Sequence, residues 1–310
     1  MIEILRAGPL ATVQDLGRNT WRDRGISRCG ALDELALAQG NLLVGNPVDA
    51  AGLEFTLGPA TLRFDADGCI AITGTDGEAR LDGQPLYPWW RHRVRAGQTL
   101  KLAAPRERMR SYVAVAGGIA VPEALGSRST DLKAGFGGLA GRALRDGDRL
   151  PLATPAALPW RRIGIRPPAW DSTVRVLHGP EHDEFSAAAR EAFWAADWQV
   201  TPQSNRMGYR LAGPALVREH GGELASHGVL PGVIQVPPAG QPIVLLADAQ
   251  TTGGYPKIGV VIRADLWKLG QLRLGARLRF VPCTPDDAVA ALREQRWLLD
   301  QMRIALCMST

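Results

Sequence analysis

LPGVIQVPPAGQPIVLLADAQTTGGYPKIG, residues 230–259, holds two apolar runs, GVIQVPP and PIVLLAD, each too short for a helix and each closed by Pro or Gly. Short β-branched runs between turn residues read as strands joined by hairpins. The same texture continues outward in both directions: LEFTLGPATLRF, CIAITG, TLKLAAP, RSYVAVAGG, STVRVLHG, ALVRE, VVIRADL and RLRFVP. Many short strands at intervals of about ten residues argue for barrels or sandwiches.

Helical periodicity is confined to residues 33–44 (Leu35, Leu42, Leu43), 182–196 (Phe185, Ala189, Ala192, Phe193, Ala196) and 285–303 (Val289, Leu292, Leu299, Met302). The last has a start signal, with Thr284 as N-cap, Pro285 at the first helical position and Asp287 three residues after the cap. The expectation is therefore a mainly β protein with a few helices. The stretch 151-PLATPAALPWRRIGIRPPAW-170 has five prolines and no period, and reads as a linker. This divides the chain into a first barrel subdomain at 1–155, a Pro-rich linker at 156–170, a second barrel at 171–284 and a C-terminal helix at 285–310. Faint echoes across the linker, LGPATLRF (57–64) with AGPALVRE (212–219) and AGQTLKL (96–102) with LGARLRF (274–280), are what two related halves would leave.

The 310 residues suffice for two ordinary domains, and 45% hydrophobic with 22% charged residues, 35 Gly and 22 Pro describes a turn-rich globular chain. A net charge of +5 comes from 36 Lys+Arg scattered among 31 Asp+Glu, without the concentrated basic face that nucleic-acid binding needs. Cysteines at 29, 69, 283 and 307 form no C-x-x-C pair, which predicts a reduced, cytoplasmic protein. No apolar run is long enough to span a membrane, and the start, MIEILRAGPLATVQD, has no signal-peptide core.

Several familiar chemistries are absent or weak. There is no P-loop, and 135-GFGGLA-140 follows a polar stretch rather than a buried strand, against a dinucleotide fold. His178 and His182 with Glu181 and Asp183, or His220 and His227 with Glu219 and Glu223, would be the metal ligands. Gly179-Pro180 keeps the first pair off one helical face, so no metal site is expected. 25-GISRCG-30 misses G-x-S-x-G by one position, and Cys29 alone reads as a packed thiol.

Two loops carry stronger signals. In 126-GSRSTDLKAGFGG-138, Arg128 offers a fork for a carboxylate or phosphate, Ser127, Ser129 and Thr130 short hydroxyls, and Gly137 and Gly138 close backbone approach. In 248-DAQTTGGYPK-257, Asp248, Tyr255 and Lys257 are candidates for proton transfer or charge stabilisation, with Thr251, Thr252, Gly253 and Gly254 as substrate-binding backbone. The same residues also build ordinary turns and hairpins.

These loops lie in long blocks that resemble the biotin-dependent carboxyltransferase A/B family, which includes the allophanate hydrolase and 5-oxoprolinase components and the Kip-type kinase inhibitor antagonists. The blocks are GPLATVQDLGR (8–18), GALDELALAQGNLLVGN (30–46), AVAGGIAVPEALGSRSTDLKAGFGGLAGRALRDGD (114–148), SNRMGYRLAG (204–213, carrying Arg206 as a further binding candidate) and PGVIQVPPAGQPIVLLADAQTTGGYPKIG (231–259). The resemblance implies two cyclophilin-like β-barrel subdomains. It also implies a hetero-oligomer with a C/D-type carboxyltransferase-family partner and a further catalytic polypeptide. Such an assembly opens the lactam of 5-oxo-L-proline, a small-molecule amide, to L-glutamate and uses ATP, with no assigned ATP site on this chain. Carboxyl transfer from the carboxybiotin of a separate carrier, as in urea carboxylase, is the alternative. No Met-Lys-Met sequence occurs, so no covalent biotin is expected here. A regulatory antagonist of a kinase inhibitor is a third reading. Ala239 and Ala276 depart from the family's usual Asp in two turns, and 80–112 and 151–200 resemble it only loosely.

Overall fold

The computed structural model describes residues 1–75, 77–155, 160–220 and 222–308. These residues form two compact units: Met1–Arg18 with Cys29–Ala169 and the chain from Trp297, and Asn19–Arg28 with Trp170–Arg296.

In the first unit, six strands lie in the order Arg149–Leu150, Ile2–Arg6, Ala60–Phe64, Thr99–Leu102, Arg80–Leu81 and Gln84–Pro85. Five more run in the order Leu10–Gln14, Gly52–Thr56, Arg110–Val115, Gly68–Gly74 and Arg91–Val94. All of these pairings are antiparallel. Inward side chains such as Ile2, Leu53, Phe55, Leu62, Ile72 and Val113 form one apolar cluster. The strand Arg110–Val115 is buried at every position. Val113 and Val115 face that cluster, while Tyr112 and Ala114 face helix α1 (Glu34–Leu43). A strand covered on both faces has no polar side to alternate with, so SYVAV reads as a continuous run. Helix α1 is buried at nine of its ten residues and starts where Asp33 accepts a hydrogen bond from the Ala36 amide at 2.8 Å. Glu54, fully buried, accepts from the Tyr112 hydroxyl at 2.7 Å and the Leu32 amide at 2.9 Å. Burial together with the Glu54 charge pushes the Tyr112 hydroxyl well above the ordinary tyrosine range.

The second unit is a closed barrel of Thr173–His178, Lys257–Val261, Val233–Gln235, Ile243–Leu245, Gly208–Ala212, Trp198–Val200 and Arg277–Pro282. A parallel pairing of Thr173–His178 with Arg277–Pro282 completes the circle, and every other neighbour is antiparallel. Phe193, Trp198, Tyr209 and Phe280 are buried in this unit, with the Phe193 and Phe280 rings stacked at 4.9 Å. Helix α2 (Ala187–Ala195) begins at Ser186, whose hydroxyl accepts from the Ala189 amide. The run VVIRADL, read as strand, is strand only through Val261; a single turn of tighter helix at Arg263–Asp265 follows and leads into the short helix α3 (Leu266–Gln271). Helix α4 (Pro285–Met308) opens with the expected cap: Thr284 and Asp287 exchange backbone–side-chain hydrogen bonds at 2.9 and 3.2 Å.

The expected boundaries shift in three places. Residues 19–28 group with the second unit, because Arg22 donates to the Val229 and Gln250 carbonyls and the Ser27 hydroxyl to the Ala249 carbonyl. Within the expected linker, residues 163–165 bridge to Trp89–Arg91 at the sheet edge. The Arg91 amide donates to the Ile163 carbonyl and the Ile165 amide to the Trp89 carbonyl, both at 2.9 Å. Gly164 permits this, since a Cβ there would lie 2.4 Å from the Trp90 ring. Residues 156–159 lie outside the described residues. Helix α4 is not a separate element: Gln295 donates to the Ala264 carbonyl, whereas from Trp297 onward the helix belongs to the first unit, with Met302 beside Gln39. Of the echoes, 96–102 and 274–280 are both turn-then-strand, but 57–64 carries the strand Ala60–Phe64 while 215–219 forms none.

Among the described residues, no helix is long and apolar enough to cross a membrane.

Candidate functional site

The loop 126–141 of the first unit is organised by Asp15, in the turn Asp15-Leu16-Gly17-Arg18. Its buried carboxylate accepts from the Ser127 hydroxyl at 2.7 Å, the Ser129 hydroxyl at 2.5 Å, the Gly17 amide at 2.7 Å and the Arg128 amide at 2.6 Å. The Ser129 hydroxyl in turn accepts from the Asp15 amide at 2.9 Å, and Thr130 bonds the Val13 carbonyl through both its amide and its hydroxyl at 3.0 Å. Ser127, Ser129 and Thr130, expected as ligand donors, are thus buried and committed to the loop's own structure.

Arg128 is likewise engaged. Its Nη1 lies 2.8 Å from Glu123 and its Nε donates to the Val121 carbonyl at 3.0 Å. The guanidinium offered by sequence as an anion fork already holds a carboxylate, although the pair is exposed enough to exchange with solvent. Gly137 and Gly138 do serve close approach. A Cβ on Gly137 would lie 2.2 Å from the Ser129 carbonyl oxygen and 2.9 Å from the Arg18 guanidinium, and one on Gly138 would lie 1.9 Å from the Thr130 hydroxyl. Both have positive φ, 70° and 52°.

In the second unit, the predicted Arg206 and Asp248 find each other. Arg206 Nε to Asp248 Oδ2 is 2.9 Å and Nη2 to Oδ1 is 3.0 Å, with both side chains buried. A two-pronged buried pair of this kind fixes the turn before Gly208–Ala212 against the start of the TTGG hairpin. It also removes Asp248 as a ready proton acceptor. Lys257 is buried as well: its amide donates to Glu181 at 2.8 Å and its Nζ reaches the same carboxylate at 3.4 Å. Directly opposite Lys257 in the ladder stands Gln235, whose side chain therefore shares its face of the sheet. Gln235 is buried, accepts from Gln250 Nε2 at 3.4 Å, and leaves its own amide nitrogen without a partner. Gly253 covers that nitrogen, and a Cβ there would come within 2.6 Å of it.

Thr252 and Gly253 pair with His227 and Gly228 as a two-stranded ribbon, and the Thr251 carbonyl accepts from Val229 at 2.9 Å, so much of the TTGG backbone is spent on ladder bonds. Gly254 and Tyr255 instead border a cavity of about 790 Å³ within this unit. Phe185, Leu216, Val217 and Pro237 give it apolar walls, and Arg218 with Tyr255 supplies polar edge groups. A largely apolar cavity of this size with few polar groups is suited to a small ligand. Tyr255 is 47% exposed, which leaves its hydroxyl the most accessible of the three predicted catalytic groups. Ala239, read from sequence as a turn variant, lines the same cavity.

The His178 and His182 rings stack at 4.0 Å, inclined by 19°, beside Trp194 of α2. As expected from Gly179-Pro180, the two do not share a helical face, since His178 ends the strand Thr173–His178 and His182 opens a 3-10 turn; the intervening residues bring the rings face to face. Burial and the neighbouring His182 hold the His178 imidazole below the ordinary histidine range. Among the described residues, no group of three or more His, Cys, Asp or Glu is arranged to hold a metal ion. Cys29 is buried, and burial pushes the Cys69 thiol up to about 11.

Reading by motif misses Asp15, Arg18 and Gln235, and weighs Glu181 only as a metal ligand. Asp15 and Arg18 stand in the block GPLATVQDLGR, but nothing local shows that their partners lie more than a hundred residues away.

Comparison with known proteins gives these features a context. The family model "Carboxyltransferase domain, subdomain A and B" matches residues 24–282. The chain is 51% identical to the C component of the 5-oxoprolinase of Escherichia coli over 97% of both chains, and 44% identical to its namesake from Haemophilus influenzae over 98% of both. It also superposes on the crystal structure of Kluyveromyces lactis urea carboxylase with a TM-score of 0.92 at 29% identity. That match covers 97% of this chain but only 29% of the larger one.

Proposed function

Because the chain belongs to the carboxyltransferase A/B family, we propose that it is one component of an ATP-dependent 5-oxoprolinase, an assembly that hydrolyses 5-oxo-L-proline to L-glutamate. The observation that carries this reading is the 51% identity, across 97% of both chains, to a protein named as the C component of that enzyme. In this reading the other polypeptides are a C/D-type partner, matching the B component of such an enzyme, and a further catalytic chain matching its A component, in a cytoplasmic hetero-oligomer. ATP is a substrate of the assembly, and no residue of this chain is assigned to it.

A lactam carbonyl is a weak electrophile; transfer of the ATP γ-phosphoryl group to its oxygen, with release of ADP, activates the carbon for addition of water. The ring C–N bond then breaks as the nitrogen takes up a proton and leaves as the amine, and hydrolysis of the resulting acyl phosphate gives L-glutamate and phosphate. This chain's contribution is to bind and orient the ring. The apolar walls around Leu216 and Pro237 exclude water from the methylene face, while Tyr255 stands at the edge where a proton must be delivered or removed. The Arg206–Asp248 and Lys257–Glu181 pairs hold the hairpin that carries Tyr255 rather than meeting the substrate. The decisive experiment is ATP-dependent glutamate release from 5-oxo-L-proline by the purified chain, alone and mixed with its companion polypeptides. Activity only in the mixture supports the reading; an assembled but inactive mixture removes it.

The close superposition on urea carboxylase favours a second reading, carboxyl transfer involving a separate biotinylated carrier. The same mixture, supplied with a carboxybiotin carrier and with urea in place of 5-oxo-L-proline, tests it by transfer of the carrier's carboxyl group to the urea nitrogen; loss of that group without carboxylated urea would remove it.

A further inference from the structure

Arg18 is 1% exposed, yet among the described residues its guanidinium meets no carboxylate. Its Nε donates to the Ala124 carbonyl at 3.4 Å and its Nη2 to the Ser129 carbonyl, while Nη1 is buried without any hydrogen-bond partner. The nearby acid, Asp15, is saturated by Ser127, Ser129, Gly17 and Arg128. Burying an uncompensated cation is costly, and buried charges are normally paired. Arg128 of the same loop is partly hydrated and already faces Glu123 at 2.8 Å, which makes Arg18 the odd charge of this region.

Its surroundings have the form of a closed receptor. The Phe136 ring lies over the guanidinium, 4.7 Å from Cζ to the ring centroid, and is itself only partly buried. The backbone beneath is fixed, with Asp131 donating to the Phe136 carbonyl at 2.9 Å and Gly138 to the Arg128 carbonyl at 3.0 Å. Gly137 lets the chain pass against the Arg18 guanidinium where any Cβ would collide. The Phe136 side chain, unlike the loop backbone beneath it, makes no hydrogen bond that would oppose its rotation off the cation.

We propose that Arg18, capped by Phe136, is an oxyanion-binding site for a small carboxylate or phosphate group, and that the anion completes its missing charge pair. The carboxylate source rests on the proposed function, which makes 5-oxo-L-prolinate a ligand this chain meets, and a molecule held at Arg18 is separate from the one whose ring lies beside Tyr255; the phosphate source does not rest on it.

The test is thermal unfolding of the full chain titrated at constant ionic strength with sodium 5-oxo-L-prolinate, with sodium phosphate in a second arm, and with neutral 2-pyrrolidinone as control. A ligand that binds only the folded state raises the unfolding midpoint with concentration. The expected result is a rise with one or both anions, none with 2-pyrrolidinone, and at least about ten-fold weaker anion response in Arg18→Met. A response to phosphate alone assigns the site to a phosphoryl group, and a response to 5-oxo-L-prolinate alone assigns it to the carboxylate. Anion-free Arg18→Met is expected to melt no lower than wild type, because an unpaired buried charge has gone; a purely structural staple between carbonyls predicts a drop. Should Arg18→Met fail to fold, Phe136→Ala carries the test, with anion association expected to be about ten-fold faster in stopped flow once the cap is removed. Equal anion shifts in wild type and Arg18→Met, no shift in wild type and Phe136→Ala alike, or unchanged association in Phe136→Ala would overturn the proposal. Absent glutamate release from the assembly would leave these binding results intact, so the two readings fail separately.

Discussion

In the second unit the buried Arg206 meets both oxygens of Asp248, whereas in the first unit the equally buried Arg18 meets only carbonyl oxygens and a phenyl ring. The first arrangement is complete as it stands. Two opposite charges taken out of water neutralise one another and lock two loop segments in one geometry, but neither remains available to a ligand. The second retains an unmet electrostatic demand, and an unmet demand at a fixed position is what allows a protein to select an anion. Residue type alone does not separate the two, since each arginine lies in a loop block within two residues of a glycine.

The largest way to break this comparison is Asp248→Ala. It strips the carboxylate from a guanidinium that stays buried, and the second unit is expected to lose about 3–5 kcal/mol. Urea unfolding followed by tryptophan fluorescence reads this directly, and a loss below about 1 kcal/mol would show that the pair is dispensable. Next is Asp15→Asn, which keeps the shape of the hub but removes the charge its hydroxyl and amide donors serve. About 1.5–3 kcal/mol of first-unit stability should go, with faster amide exchange at Ser129 and Arg128.

A double-mutant cycle on Lys257→Met and Glu181→Gln sharpens the view of the weaker pair. Its Nζ contact is 3.4 Å long and the Lys257 amide still donates to position 181, so the coupling should be about 1 kcal/mol, smaller than at Arg206–Asp248. Arg128→Ala removes only a solvent-exchanging pair with Glu123 and should change stability by about 0–1 kcal/mol, a difference that salt largely erases.

The smallest effect concerns pH. His178 is largely exposed, yet its imidazole is held below the ordinary value of 6.5, first by the burial of part of its ring and then by His182. A histidine that is harder to protonate when folded contributes its full stability above the unfolded value and loses it as pH falls from there toward the folded one. The second unit should therefore melt slightly lower as pH drops below about 6.5, and His178→Gln should flatten that slope. Asp183, Arg190 and Trp194 border the histidine pair in this unit, and a slope that survives His178→Gln would locate the titration in another group.

Much of the architecture follows from local patterns. Most of the short apolar runs with glycine and proline between them became strands, ALVRE at 215–219 being an exception, and Thr284 with Asp287 marked the start of α4 to the residue. Helix α3 escapes such a reading because LWKLGQ is too short to show a period, and residues 163–165 of the expected linker bridge to the sheet edge because Gly164 lets the chain lie against Trp90.

The strand-rich fold, the close approach at Gly137 and Gly138, and the family follow from the order of the residues. Tertiary structure alone decided which charges are satisfied. Asp15 meets Ser127 and Ser129 across more than a hundred residues, Arg206 meets Asp248 across 42, and Lys257 meets Glu181 across 76. Hydrophobic periodicity and turn chemistry act between near neighbours and can be read along the chain. Charge compensation depends on distance in space, and so Arg18, unremarkable in its motif, is a deeply buried cation to which the folded first unit brings no acid among the described residues.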